Sequence, residues 1–235
     1  MKRSEINAIL RGADAFLKQH QFALPPFAYW TPEEWAAKGP EVREIADRRL
    51  GWDITDFGSG DYERIGLFVF TLRNGAPENL TSGQGKTYAE KIMVVGVDQV
   101  TPLHFHWIKM EDIINRGGGK LVVKLYNATE DEGLADTDVT VSIDGVLRTV
   151  PAGGTLTLGV GESITLEPYC YHAFWAAEGT VLAGEVSRVN DDNTDNRFYD
   201  AAGRFPAIED DEPLLRLLVN DYDRYYAPAS AAEGR

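Results

Sequence analysis

The sequence predicts a mainly β protein, a sandwich or barrel of short antiparallel strands preceded by helices. Three observations lead there. Apolar residues recur at helical spacing, with capping signals beside them, near the N-terminus. From Gly51 the period changes to strand-like runs. Beyond Leu121 short strand patterns follow one another closely with turn residues between them, as in a sandwich or barrel.

Ser4 is placed to cap a first helix in which Ile6, Ile9, Leu10, Ala13, Phe16 and Leu17 form the apolar stripe, while Glu5, Arg11, Asp14 and Lys18 face water. Leu24-Pro25-Pro26-Phe27 is an extended linker. Thr31-Pro32-Glu33-Glu34 then supplies a capping threonine, a proline at the first helical position and a glutamate three residues after the cap. The second helix starts near Pro32, breaks at Gly39-Pro40 and resumes through Leu50. Ile65 to Leu72, bounded by Arg73-Asn74-Gly75, and Tyr88 to Val97 read as strands. Leu121 to Tyr126, Val139 to Ile143, Val146 to Val150, Thr155 to Leu158, Ser163 to Leu166 and Val181 to Val186 follow. Turns fall at Asp144-Gly145, Pro151 to Gly154 and Gly159 to Glu162. Asn190 to Asn196 is a polar loop, and Pro213 to Tyr226 is weakly helical or extended. The expected organisation is one domain over 1-235: an N-terminal helical decoration (1-50), a β-barrel (51-200) and a C-terminal segment (201-235).

The densest chemistry lies in Thr101 to Glu111. On an extended strand His104 and His106 project to one side and Phe105 and Trp107 to the other, so two imidazoles are available to one metal ion. By itself a His-x-His pair is also the pattern of a half-exposed polar face. Glu111 lies five residues past His106, an odd offset, so it joins the histidines only if the strand breaks near Ile108 to Met110. A fourth ligand would come from far along the chain. His172 is the candidate, because the one other histidine, His20, sits in the first helical pattern.

Composition narrows the function classes. At 235 residues, 43% apolar and 11% aromatic, the chain can bury a substantial core. A formal net charge of -14, with no basic cluster to offset it, argues against nucleic acid and against anionic membranes. One cysteine cannot form an internal disulfide. Nothing resembles a signal peptide or approaches the roughly 18 apolar residues of a membrane-spanning helix, so the cytoplasm is expected. Gly117-Gly118-Gly119-Lys120 lacks the spacing of a phosphate-binding loop and reads as a hairpin turn. Asn79-Leu80-Thr81 and Asn127-Ala128-Thr129 match glycosylation acceptors that are idle without secretion. Cys170 shares strand parity with His172 and reads as a small pocket-lining residue.

His104-x-His106 with Glu111, between Gly96 upstream and Gly117 downstream, resembles the first cupin motif, and Gly161, Pro168 and His172 resemble the second. The second departs from the usual pattern in carrying Cys170 and a spacing one residue short. Met1 to Asn7, Leu24 to Phe27, Trp52 to Gly58, Tyr88 to Lys91, His104 to Gly119 and Val189 to Phe198 resemble the bacterial D-lyxose isomerases, nearly end to end. That resemblance implies a cupin double-stranded β-helix with N-terminal helices. It also implies a dimeric aldose–ketose isomerase interconverting D-lyxose with D-xylulose and D-mannose with D-fructose. One divalent metal per subunit is expected, Mn2+ foremost, with Co2+, Zn2+, Fe2+ or Ni2+ as alternatives, on His104, His106, Glu111 and His172. Three neutral imidazoles and a carboxylate suit such an ion and leave positions for two neighbouring sugar oxygens. The same ligands serve Fe(II) dioxygenases, and a non-catalytic sugar-binding cupin is a further reading.

An isomerase of this kind needs a base to move a proton between C1 and C2 through an enediolate. Strand parity selects Glu185, which shares a face with Ala183 and Ser187. Glu209 is the rival if the C-terminal segment folds over the barrel mouth. Lys109, between His106 and Glu111, would stabilise the enediolate or donate a proton, and Lys91, Asp192 and Arg204 are the candidates for holding sugar hydroxyls.

Overall fold

A computed structural model describes residues 1–192, 194–203 and 207–226. The amphipathic N-terminal stripe forms helix α1 (Arg3–Gln19), and its buried side chains include Ile6, Leu10, Ala13 and Leu17. Ser4 does not cap it. The cap residue is Lys2, whose backbone N–H donates to Glu5 Oε2, while the Ser4 N–H and hydroxyl both meet the carboxylate of Asp211. The first turn therefore finds its acceptors on the returning C-terminal segment, which sequence spacing alone does not reveal. The second helical region is split into α2 (Pro32–Ala36) and α3 (Arg43–Asp47) on either side of the break at Gly39-Pro40. Thr31 caps α2 through the capping box that the sequence signals.

The rest is mainly antiparallel β, the expected architecture. Its strands are β1 (Gly51–Thr55), β2 (Leu67–Arg73), β3 (Tyr88–Val95), β4 (Thr101–Phe105), β5 (Glu111–Asn127), β6 (Val139–Ile143), β7 (Val146–Val150), β8 (Thr155–Leu158), β9 (Ser163–Leu166), β10 (Cys170–Arg188) and β11 (Arg197–Phe198). The short helix α4 (Asn79–Ser82) lies between β2 and β3, and α5 (Tyr222–Tyr225) lies near the end of the described chain. The order β1-β2-β3-β10-β5-β9-β6-β7 forms the main path, with β4 on β10, β11 on β4 and β8 on β5.

Two expected short strands belong to much longer ones. Leu121 to Tyr126 lies within β5 and Val181 to Val186 within β10, and these two strands pair almost from end to end. Gly117-Gly118-Gly119 is not a hairpin turn but an irregularity inside β5, opposite a register shift between Ala177 and Val181 of β10. Gly118 adopts φ +92°, and a Cβ there would lie 2.0 Å from the Thr180 carbonyl oxygen, so only glycine permits this approach.

Both faces of the β2–β3–β10 region are covered, which explains its continuous apolar reading. Phe68, Phe70, Ile92 and Leu182 pack with Ile6, Leu10 and Leu17 of α1. Their alternates Val69, Met93 and Ala183 join the barrel interior with Ile113, Val123 and Phe174. Full burial of each large apolar side chain contributes about 1.5–3 kcal/mol, so this layer fixes which face of β3 and β10 looks inward. Lys91 and Glu185 share inward parity with Met93 and Ala183.

Candidate active site

The barrel interior holds charge at one end. Register does most of the assembly: His172 of β10 pairs directly with His104 of β4, Glu185 of β10 with Lys91 of β3, and Ser187 of β10 with Glu111 of β5. The long separation between the two histidine segments is thus closed by one antiparallel pairing. The expected break after His106 is present as well, since β4 ends at Phe105 and β5 begins at Glu111. It is built by Asp195, whose carboxylate accepts the backbone N–H groups of Trp107, Ile108 and Lys109 at 2.9, 3.0 and 3.0 Å. Those donors would otherwise be orphaned at the break, and satisfying them lets Glu111 turn to the same side as the histidines. No sequence signal marks Asp195, which sits in what reads as a polar loop.

Each histidine ring is oriented by a carbonyl that can only accept. The Nδ1–H of His104 donates to Pro102 O at 2.7 Å, that of His106 to Asp195 O at 2.6 Å and that of His172 to Cys170 O at 3.0 Å. The proton is thereby placed on Nδ1, leaving a lone pair on each Nε2. His104, His106 and His172 offer ligand atoms within 4.8 Å of one another. Oε1 of Glu111 lies 3.2 Å from Nε2 of His106 and 3.1 Å from Nε2 of His172, yet none of these three buried atoms has a hydrogen-bond partner among the described residues. Convergent acceptors, buried and unpaired, are costly unless a cation lies among them, and three imidazoles with one carboxylate suit a divalent ion.

Protonation supports that use. Burial, reinforced by His172 and His106, pushes the His104 imidazolium well below its ordinary range, and burial with the Lys109 charge lowers that of His106. Burial opposes ionisation of Glu111, but the Lys109 charge outweighs it and holds this carboxyl well below the usual range. Lys109 is pulled the other way: burial disfavours its charge, while Glu111, Glu185 and Asp192 raise its pKa above the ordinary value. The site therefore presents neutral imidazoles at His104 and His106, a charged Glu111 and a charged Lys109 at neutral pH.

Lys109 Nζ lies 2.6 Å from Glu111 Oε2 and 3.3 Å from Glu185 Oε1. Lys91 Nζ lies 3.3 Å from that same Glu185 oxygen and 3.0 Å from Asp192 Oδ1. His104, His106, Glu111, His172, Lys109, Glu185, Lys91 and Asp192 all line one cavity, walled on its apolar side by residues including Phe57, Met93, Phe174 and Phe198. Phe57 and Phe198 meet edge to face at 5.6 Å, and neither was singled out by the sequence. Glu209 is not brought there. It is exposed, its backbone pairs with Met1 and Arg3 at the start of α1, and it does not line the cavity, because the C-terminal segment returns along α1. Arg204 lies outside the described residues. Cys170 is buried, its thiol pushed up to about 12 by burial and then by Glu111 and Glu167, and it lies outside both the histidine cluster and the cavity lining.

Comparison with known proteins places these residues in a wider setting. The D-lyxose isomerase family model matches residues 1–222. A D-lyxose/D-mannose isomerase of Serratia proteamaculans is 50% identical over 230 residues, covering 97% of this chain and 100% of that protein. Another of the same description from Escherichia coli O157:H7 is 49% identical over 228 residues, 96% of this chain and 100% of the relative. Among solved structures, L-ribose isomerase of Cellulomonas parahominis with L-ribose superposes with TM-score 0.57 at 18% identity, covering 89% of this chain and 98% of that one. The Acinetobacter sp. DL28 L-ribose isomerase with L-ribose gives TM-score 0.60 at 16% identity with the same coverage. At such identities the structural likeness speaks to the fold.

Proposed function

The chain belongs to the D-lyxose isomerase family, and from that premise we propose a metal-dependent aldose–ketose isomerase. It interconverts D-lyxose with D-xylulose and D-mannose with D-fructose by moving a proton between C1 and C2 through an enediolate. The observation that carries this reading is that one buried cavity is shared by the unpaired Nε2 and carboxylate atoms of the histidine cluster and by the Glu185–Lys109 pair.

In this reading His104, His106, Glu111 and His172 hold the ion. A divalent cation bound there, Mn2+ foremost, supplies Lewis acidity towards two neighbouring oxygens of the open-chain sugar. Glu185 is the base that takes the proton from C2 of the aldose and returns it to C1 of the ketose. Lys109 stays protonated between Glu111 and Glu185, where its charge offsets negative charge developing on the enediolate oxygens. Lys91 and Asp192 line the cavity as one ion pair and hold sugar hydroxyls, while Phe57 and Phe198 limit access of water. The likeness of the curated relatives in name and length supports the choice of D-lyxose and D-mannose.

The test is anaerobic incubation of metal-defined protein with D-lyxose, D-mannose and D-ribose, reading the ketose formed. D-Xylulose and D-fructose are the expected products, with activity abolished by chelation and restored by Mn2+. In D2O, solvent deuterium is expected at the product carbon to the extent that the base exchanges before delivery. Absence of ketose from every sugar, or full activity in protein shown by elemental analysis to lack metal, would overturn the reading.

A further inference from the structure

The carboxylate of Glu185 is held asymmetrically. Ser187 Oγ donates to its Oε1 at 2.9 Å, and Nζ of Lys109 and Nζ of Lys91 each lie 3.3 Å from that same atom. Among the described residues no donor meets Oε2. We propose that Ser187 is a positioning residue for the proton transfer: its hydroxyl fixes the Glu185 carboxylate so that Oε2 alone carries the proton between the two sugar carbons. The proposal rests on the reading of Glu185 as the base and deepens it by assigning the atom and the group that orients it.

Hydrogen bonds from Ser187 and Lys109 occupy the two lone pairs that Oε1 offers, with the Lys91 charge beside them, so a further proton has no place on that oxygen. The lysines are not free to set the carboxylate plane. Lys109 sits closer to Glu111 Oε2, at 2.6 Å, and Lys91 closer to Asp192 Oδ1, at 3.0 Å, than either does to Glu185. The Ser187 hydroxyl, by contrast, has Glu185 as its one side-chain partner among the described residues. Ser187 and Glu185 are two positions apart on the same face of β10, so their separation is fixed by the strand itself and is independent of the loops at the cavity mouth. Ser187 is buried, 6% exposed, and does not line the cavity, so it acts through Glu185 rather than on the sugar.

The step balances without any co-reactant. The C2–H bond breaks, its electron pair becomes the C1–C2 double bond of the enediolate, the C1=O π pair moves onto O1, and the proton bonds to Oε2. In the second half the O2 hydroxyl proton passes to O1, the electron pair it leaves forms the C2=O bond, the C1–C2 π pair takes the proton from Oε2 as the new C1–H bond, and Glu185 returns to its charged form with Oε1 still hydrogen-bonded throughout.

The test compares S187A, S187C and E185Q with the wild-type holoenzyme on D-lyxose and on D-lyxose deuterated at C2. Loss of one hydrogen bond to a charged group is expected to lower kcat about tenfold to a hundredfold in S187A. KM and Mn content should stay near wild type, and the deuterium isotope effect should rise as C–H cleavage becomes slower relative to other steps. S187C, almost the same size but a weak donor, is expected to show the same loss, whereas a merely space-filling role predicts that it keeps wild-type kcat. Wild-type kcat in S187C overturns the proposal, whether or not S187A folds. If E185Q also keeps its kcat, the base assignment itself falls; if E185Q is inactive while S187C is unimpaired, only the role of Ser187 falls.

Discussion

At the scale of single residues, the site works by withholding hydrogen bonds from the atoms that matter. The Nδ1 atoms of His104, His106 and His172 are each committed to a carbonyl, so Nε2 is the atom left available to a metal ion. His106→Ala or His172→Ala is expected to lose most bound metal by elemental analysis. His20→Ala should retain it, because His20 ends α1 and packs against Gly117 on the outside of β5. Equal loss from His20→Ala would refute the ligand assignment. The same burial gives the metal-free protein an acid-sensitive stability. His104 has its pKa depressed below the ordinary 6.5, so below that pH the unfolded chain binds the extra proton and stability, fully present above it, declines as pH falls. Glu111, depressed below 4.5, adds a further loss at lower pH, whereas Lys109, raised above 10.5, contributes stability lost only as pH rises through its folded-state pKa. Chelator-treated protein should therefore melt at lower temperature at pH 5 than at pH 7, and His104→Gln should flatten that slope. An unchanged slope in the variant would exclude His104 as a source.

At the scale of elements, the decisive feature is the turn between β4 and β5. Three N–H groups in a row depend on one carboxylate from a loop far along the chain. Asp195→Ala should leave those donors without an acceptor and let the turn relax, carrying Glu111 out of line with His106. Metal affinity, measured by competition with a chelator, is expected to fall about 10- to 100-fold, with the barrel still folded. Affinity equal to wild type would mean that the turn holds its shape without Asp195. The two long strands illustrate a different device: the glycines of β5 lie opposite the shifted register of β10, so the two strands remain paired on both sides of the irregularity.

At the scale of the whole molecule, buried charge is balanced locally rather than neutralised by the surface. Lys109 and Lys91 sit among Glu111, Glu185 and Asp192 inside a chain whose formal net charge is -14. The converging acceptors of His106, His172 and Glu111 are a cost to the fold that a bound cation would relieve. Because an ion that binds only the folded form stabilises it by mass action, Mn2+ at 100 times its dissociation constant should add about 2.7 kcal/mol. The expected result is a higher Tm with saturating Mn2+ than with chelator, measured by calorimetry. No change would count against a metal site inside the barrel. Among the described residues no helix is long and apolar enough to cross a membrane.

The sequence by itself determined what depends on neighbours a few positions apart. The amphipathic stripe of α1 and the capping box of α2 are local signals. So are the bounds of β6 to β9, the shared face of His104 and His106, and the inward parity of Glu185 with Ala183. Periodicity and turn chemistry are written within a few residues, so they survive reading in one dimension. Tertiary structure decided everything that depends on a distant partner. The pairing of His104 with His172, the capture of the 107–109 turn by Asp195 and the carboxylate of Asp211 at the start of α1 join segments with no sequence relation to one another. It also separated the two candidate bases in space, setting Glu185 in the cavity and Glu209 beside the N-terminus, because strand parity tells which way a side chain points but not what the returning chain covers.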